Sequence, residues 1–437
     1  MSSTGVRLPD SFKSPALSAH MPANRFQAVV RAPNATYTEG QTCILRMTPF
    51  PNAFFDPMSL RVSGTLTTTG AGSTDQNLNF NGSAHSLFSR ILYSSGSQQE
   101  TCPAFPAIMN TLQQLTMSPA DYAASVRKNG GSEIGSGPNI GARVQSGTVA
   151  VPNTFSIGLL GSFAEIQRPV PAMFDLSVEL TVAQILDAFV RISGADTGAF
   201  TAVTSMVISD LRLTYNVTET SMYPELFPVP QLQYHSRSHQ LYSQTLPVGQ
   251  NGRLDITLPF TASSATNLIL IFETLSFEFE RCRNGIGSVN PNLQDIQLVH
   301  GSKTWPLNPL RVNRLMELMD NNEQAVNDST AGAVPIANFA IADTVSATAP
   351  GYTGNVADRL GTSSLNTSCF RINLDLSKTD HGRDGDNVYT GANLSHNSIL
   401  TLNFHTALAL GYTMRAILVT ETVITLDQLT GQMVTTF

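Results

Sequence analysis

The chain has 437 residues, 41% of them hydrophobic and 13% charged, with a formal net charge of −7 and a pI near 5.6. That length exceeds what one core comfortably holds and points to two or three domains, while the charged fraction is about half that of an ordinary soluble domain. Lys and Arg form no block that could neutralise a phosphate backbone, and no run of 18 apolar residues could span a bilayer.

Residues 1–24 hold Pro9, Pro15 and Pro22, small residues and no hydrophobic period, so they are expected to form a flexible arm rather than a secretory signal. Short β-formers then follow at Arg25–Arg31 and Thr42–Met47. Ser59–Leu66 alternates Leu60, Val62 and Leu66, with a bulge expected at Gly64, and Gly70–Asp75 is expected to be a loop tip. From Phe80 the chain reads as a buried turn at His85-Ser86-Leu87-Phe88, a strand with Ile91 and Tyr93 on one face, a Gly-Ser-Gln hairpin tip, and a helix. Phe105, Ile108, Met109, Leu112 and Leu115 give that helix one apolar face, with Val126 as its far limit. The Gly-rich stretch Gly130–Gly147 is expected to be a surface loop.

Strands resume at Phe155–Leu160 and Met173–Val182, the latter alternating Phe174, Leu176, Val178, Leu180 and Val182. A helical turn is expected at Ile185, Leu186, Phe189 and Val190, then a strand at Leu211–Val217 with Leu211, Leu213, Tyr215 and Val217 on one side. Tyr223–Pro230 holds three prolines and cannot be a central strand or helix. The same grammar restarts beyond it, with strands at Leu254–Leu258 and Asn267–Glu280. A helix is expected next, with Asn308 as N-cap, Pro309 in its first turn, and Val312, Leu315, Met316 and Met319 inward. A long polar loop at Asn321–Thr367 precedes strands at Phe370–Leu376, Ile399–Phe404 and Met414–Leu426. The pattern predicts an arm at 1–24, one all-β sandwich at 25–222, a Pro-rich linker at 223–232 and a second sandwich at 233–437.

Chemistry-bearing clusters are sparse. Asp384, Asp386 and Asn387 around Gly385 offer oxygen ligands for Ca²⁺, but the terminal Glu of an EF-hand loop is missing, and a polar loop tip is the expected role. His235 and His239 have i, i+4 spacing with neither an HExxH glutamate nor a third ligand nearby. Cys43, Cys102, Cys282 and Cys369 are scattered without metal-ligand spacing and are expected to be free thiols. Neither a G-x-S-x-G elbow nor a P-loop is present. His85 is expected to be a structural histidine, and the sole tryptophan, Trp305, a core or interface anchor.

Three places carry a resemblance to a known family: the His85–Phe88 segment with its strand and helix, Leu211–Glu225 running into the linker, and Gly391-Ala-Asn-Leu-Ser395 before Ile399–Phe404. In that order they resemble the double jelly-roll major capsid proteins, the lineage of adenovirus hexon, the membrane-containing tailless phages, the virophages and the large DNA viruses. The resemblance covers about Arg25 to Phe437. It implies an all-β fold of two tandem jelly rolls, each an eight-stranded sandwich, with short inserted helices. It further implies a homotrimer forming a pseudo-hexagonal capsomer of an icosahedral virion, without enzymatic activity or cofactor. Expected partners are neighbouring capsomers and penton or minor capsid proteins, with an internal membrane as a further contact of the arm and no sequence-specific nucleic acid. Two alternatives stay open: a capsid protein with a shell barrel plus a protruding domain, and a neutral carbohydrate-binding or adhesive β-sandwich protein.

Overall fold

The computed structural model describes residues 23–69, 77–80, 83–96, 98–116, 143–146, 149–150, 153–193, 205–221, 223–227, 231–274, 291, 293–312, 317–318, 321, 370–377, 391–408, 411–428 and 432–436. The first half carries β1 (Ala23–Arg31), β2 (Thr36–Thr38), β3 (Thr42–Arg46), β4 (Ala53–Phe55), β5 (Arg61–Thr69), β6 (Asn77–Phe80), β7 (Phe88–Ser95), β8 (Gln98–Pro103), β9 (Arg143–Ser146), β10 (Val149–Ala150), β11 (Asn153–Gly158), β12 (Val170–Pro171), β13 (Ser177–Val182), β14 (Phe189–Ser193) and β15 (Ser205–Thr220). Helix α1 (Phe105–Thr116) interrupts them, with one-turn helices at Ile185–Ala188 and, although Pro224 falls within it, at Tyr223–Leu226, where no helix was expected. The second half carries β16 (Gln231–Leu246), β17 (Gly252–Leu258), β18 (Ala262–Thr274), β19 (Leu293–His300), β20 (Lys303–Arg311), β21 (Arg371–Asp375), β22 (Ala392–Leu394), β23 (Ser398–Phe404), β24 (Tyr412–Asp427) and β25 (Gln432–Thr436).

Among the described residues, strands β1–β15 pair with one another and strands β16–β25 with one another. In the first half, β11-β5-β15-β4-β12 form a sheet to which β1 and β2 add by pairing with β15, and β3-β13-β7-β8 form a second sheet. Inward residues of both, among them Val62, Leu66, Ile91, Tyr93, Val178, Leu180, Leu213 and Tyr215, share one core. In the second half the sheets are β16-β24-β18-β21, with β22 and β25 added, and β17-β23-β19-β20. They enclose Leu258, Leu268, Leu270, Phe272, Leu298, Ile372, Leu400, Leu402 and Leu418. Each such side chain contributes roughly 1.5–3 kcal/mol when fully buried. The result is two tandem jelly-roll barrels.

Period-2 alternation is obeyed strand by strand. In β5, Val62, Gly64, Leu66 and Thr68 are buried while Arg61, Ser63 and Thr65 are half-buried. The bulge expected at Gly64 lies instead on its neighbour: β15 slips register between Ser209 and Arg212, with Asp210 at φ 49°. Gly64 faces that slip, where a Cβ would meet Phe155 Cζ at 3.0 Å and the Ser209 carbonyl at 3.2 Å.

Several expectations need correction. Asn308 and Pro309 start no helix; both lie in β20, the last strand of its sheet, where a missing N–H is tolerated. Phe189 and Val190 belong to β14, because the helical turn stops at Ala188. The hairpin tip at Gly96 leads into β8 before α1 begins. The glycine-rich stretch is not loop to its end, since Arg143–Ser146 is β9. Along α1, Phe105 and Ile108 are buried, Met109 and Leu112 half-buried. Positions 70–75, most of 130–147 and 322–367 lie outside the described residues, as does anything of the helix beyond Thr116.

Candidate functional site

Asp384, Asp386 and Asn387 lie outside the described residues. His235 and His239 sit on one strand, β16, where four residues span about 13 Å; the first is exposed and the second buried, so they do not converge on one ion. Among the described residues no three His, Cys, Asp or Glu side chains cluster as metal ligands. Cys43 and Cys102 are buried free thiols. His85 is buried, shares a hydrogen bond of 2.5 Å between its Nδ1 and Ser83 Oγ, and packs edge-on to Phe105 at 5.4 Å. Burial, reinforced by Arg61, holds its imidazole down at about 3, so it is neutral and structural. Trp305 pairs with Leu298 across β19 and β20 and packs against the second core.

What the fold does bring together is a seam between the barrels. The first barrel contributes β8, α1 and the segment 159–169; the second contributes the outer face of its β16-β24-β18-β21 sheet. Ile269 and Ile271 of β18 and Ile417 and Val419 of β24 face away from the second core and join the cluster of the first. Arg371 of β21, buried, reaches across to donate from Nη1 to the Thr111 carbonyl of α1 at 3.1 Å. Strand β24 serves both barrels: Met414, Ala416 and Leu418 enter the second core, while Ile424 and Leu426 enter the first cluster.

Around this apolar patch runs a polar network. Glu100 of β8 accepts from the Ser162 backbone N–H at 3.0 and 3.1 Å and from Ser238 Oγ of β16 at 2.8 Å. Ser162 Oγ also donates to Glu100, and Ser236 Oγ donates to the Ser162 carbonyl. Tyr234 Oη donates to the Pro169 carbonyl at 3.2 Å, and Tyr223 Oη to Gln428 Oε1 at 3.2 Å. From below, Tyr93 Oη donates to the Leu160 carbonyl at 2.8 Å, and its ring fills the space beside Gly161 (φ 131°), where a Cβ would lie 2.7 Å away. Glu165 Oε1 lies 3.7 Å from Nδ1 of buried His239. Such a network is fully worth its desolvation only when its groups find partners, and most do here.

Nothing in the sequence marked Glu100, Ser162, Glu165, Ser236 or Ser238. The signal was inverted: β16 is long but poor in apolar residues, because two of its buried positions, Ser236 and Ser238, bond the Ser162 carbonyl and Glu100 across the seam. Arg371→Met, which keeps the stem and loses the donor, is expected to lower stability by about 2 kcal/mol, read as a shift in thermal midpoint without a change in soluble yield.

No family model matches the sequence, and no curated protein matches it. Among solved structures, a chain of the PBCV-1 virus capsid is 11% identical, covers 98% of this chain and 99% of its own length, and superposes with a TM-score of 0.63. A chain from the Sputnik virophage gives 11% identity, coverage of 95% and 88%, and a TM-score of 0.62. The mavirus major capsid protein gives 11% identity, coverage of 100% and 96%, and a TM-score of 0.56. The chain therefore has the double jelly-roll fold of these proteins along essentially its whole length.

Proposed function

We propose that this chain is a viral major capsid subunit, a double barrel that trimerises into pseudo-hexagonal capsomers and tiles an icosahedral shell of the virion. The observation that carries this reading is the docking of two like barrels through unlike faces. The first uses the side bearing β8 and α1; the second uses the outer face of its large sheet. Each barrel therefore retains the face the other has used. A heterologous contact of this kind repeats from copy to copy and closes into a ring when the rotation per step permits. Six barrels from three chains make such a ring.

The two large sheets differ in a way that suits this reading. In the second barrel the face is committed within the chain and carries Ile269, Ile271, Ile417 and Val419. In the first, the matching face of β5 and β15 carries Arg61, Ser63, Thr65, Thr214 and Asn216. Hydroxyls and amides stay soluble before assembly and lose little on burial when they find partners. In this reading 25–222 and 233–437 are the two barrel domains, and the arm at 1–24 would meet a minor protein or an internal membrane beneath the shell. Penton and minor capsid proteins complete the partner set; no enzymatic step and no cofactor enter.

Light scattering on the purified chain is the test. A mass three times 47.0 kDa, with hexagonal particles in negative stain, is expected. A stable monomer that never assembles overturns the reading and favours a glycan-binding sandwich.

A further inference from the structure

Among the described residues of the seam, Glu165 and His239 approach each other closely without a hydrogen bond between them. Glu165 comes from the first barrel and His239 from the second, with Oε1 and Nδ1 3.7 Å apart. The His239 side chain is 2% exposed and that of Glu165 25% exposed, and Nδ1 of His239 has no hydrogen-bond partner among the described residues. The charged and titratable groups facing them are Glu100 and Cys102 from β8, Arg237 from β16, and Tyr93 from β7.

We propose that Glu165 and His239 form a compensated proton pair that keeps the docking of the two barrels insensitive to pH across the mildly acidic range, each residue cancelling the titration of the other. Burial pushes the His239 imidazole down from 6.5 to about 3, and Arg237 pushes the same way. Burial pushes the Glu165 carboxyl up from 4.5 to about 7; the Gly161 N–H and Arg237 oppose this, and the Glu100 charge adds to it. Tyr93 and Cys102 are pushed up by the same burial and stay neutral. The docked pair thus carries one proton, on the carboxyl.

Opening the seam returns both groups to water. Glu165 favours docking fully below pH 4.5 and loses that contribution as pH rises through 7. His239 favours docking fully above pH 6.5 and loses that contribution as pH falls toward 3. Between pH 4.5 and 6.5, opening releases one proton from the carboxyl and takes one onto the imidazole, so the opening equilibrium has no slope there. Below that range docking weakens.

Hydrogen exchange of segment 159–169 and of β16, corrected for intrinsic rates, measures the opening constant in the full chain. The wild type is expected to be flat from pH 4.5 to 6.5. His239→Gln leaves the carboxyl uncompensated, and its opening constant is expected to rise about 100-fold over those two units, tenfold per proton per unit. Glu165→Gln is expected to fall about 100-fold over the same range. Slopes of equal sign, or two flat variants, overturn the proposal. If neither variant folds, ¹⁵N histidine spectra of the wild type decide: at least two neutral imidazoles at pH 5, His85 and His239, are expected, and one or none overturns it.

Discussion

Leu402→Asp is expected to leave the chain in the insoluble fraction. Leu402 is fully buried in β23, between Leu254 of β17 and Ile296 of β19, with Leu400 and Phe404 on the same face. The substitution removes an apolar side chain worth about 2–3 kcal/mol and puts a carboxylate without a partner in the barrel core, at a cost of several kcal/mol more. Against a total stability of about 5–15 kcal/mol, little remains. Ile399→Asp, three residues away in the same strand on the opposite face and 43% exposed, is the matched control and should stay soluble, within about 0.5 kcal/mol of wild type. Soluble, trimeric Leu402→Asp protein would show that the inward face of β23 has been misassigned.

Gly391→Ala is expected to cost about 3 kcal/mol, the upper end for overpacking, and to lower the thermal midpoint by roughly 5–10 °C. A Cβ at Gly391 would stand 2.5 Å from Ser264 Oγ and 2.6 Å from both the backbone nitrogen and oxygen of Ala265. Backbone atoms of a central strand cannot yield, so β22 would have to leave β18, breaking the Ala265–Ala392 register. The same shift would pull the Gly391 N–H from Ser264 Oγ (3.0 Å) and Glu421 Oε2 (3.3 Å). Ser264 Oγ donates to that carboxylate at 2.5 Å, so a three-membered node would fail together. Gly158→Ala, where a Cβ meets only Met109 Cε at 3.8 Å, should be near neutral. A melting curve for Gly391→Ala that overlays the wild type would remove the steric reason for glycine in this turn.

Strands with one face on a core and one outside were legible because their sequences alternate: β5, β13, β15 and β23 follow from Val62, Leu180, Leu213 and Leu402 with their polar neighbours. The buried turn expected at His85–Phe88 is found one residue earlier, at Ala84–Leu87, with Phe88 opening β7. β16 was not, since Ser236 and Ser238, buried on the same face as Tyr234, bond Ser162 and Glu100 and break the apolar alternation. β20 imitated a helix start through Asn308 and Pro309, a pattern that an edge strand also tolerates. The seam residues were beyond reach because they come from distant segments; Glu100 and Ser238 are 138 residues apart and meet only once both barrels exist.

The divided loyalty of β24 makes the completion of both barrels depend on one segment near the end of the second. One continuous strand completes the interior of one barrel with Met414 to Leu418 and covers the other with Ile424 and Leu426. A polypeptide cut short before Tyr412 would leave neither half finished: the later barrel would lack the strand that β16 and β18 both pair with, and the earlier one would show an uncovered oily flank. A truncated chain would thus carry, on both halves, apolar surface that the complete chain covers.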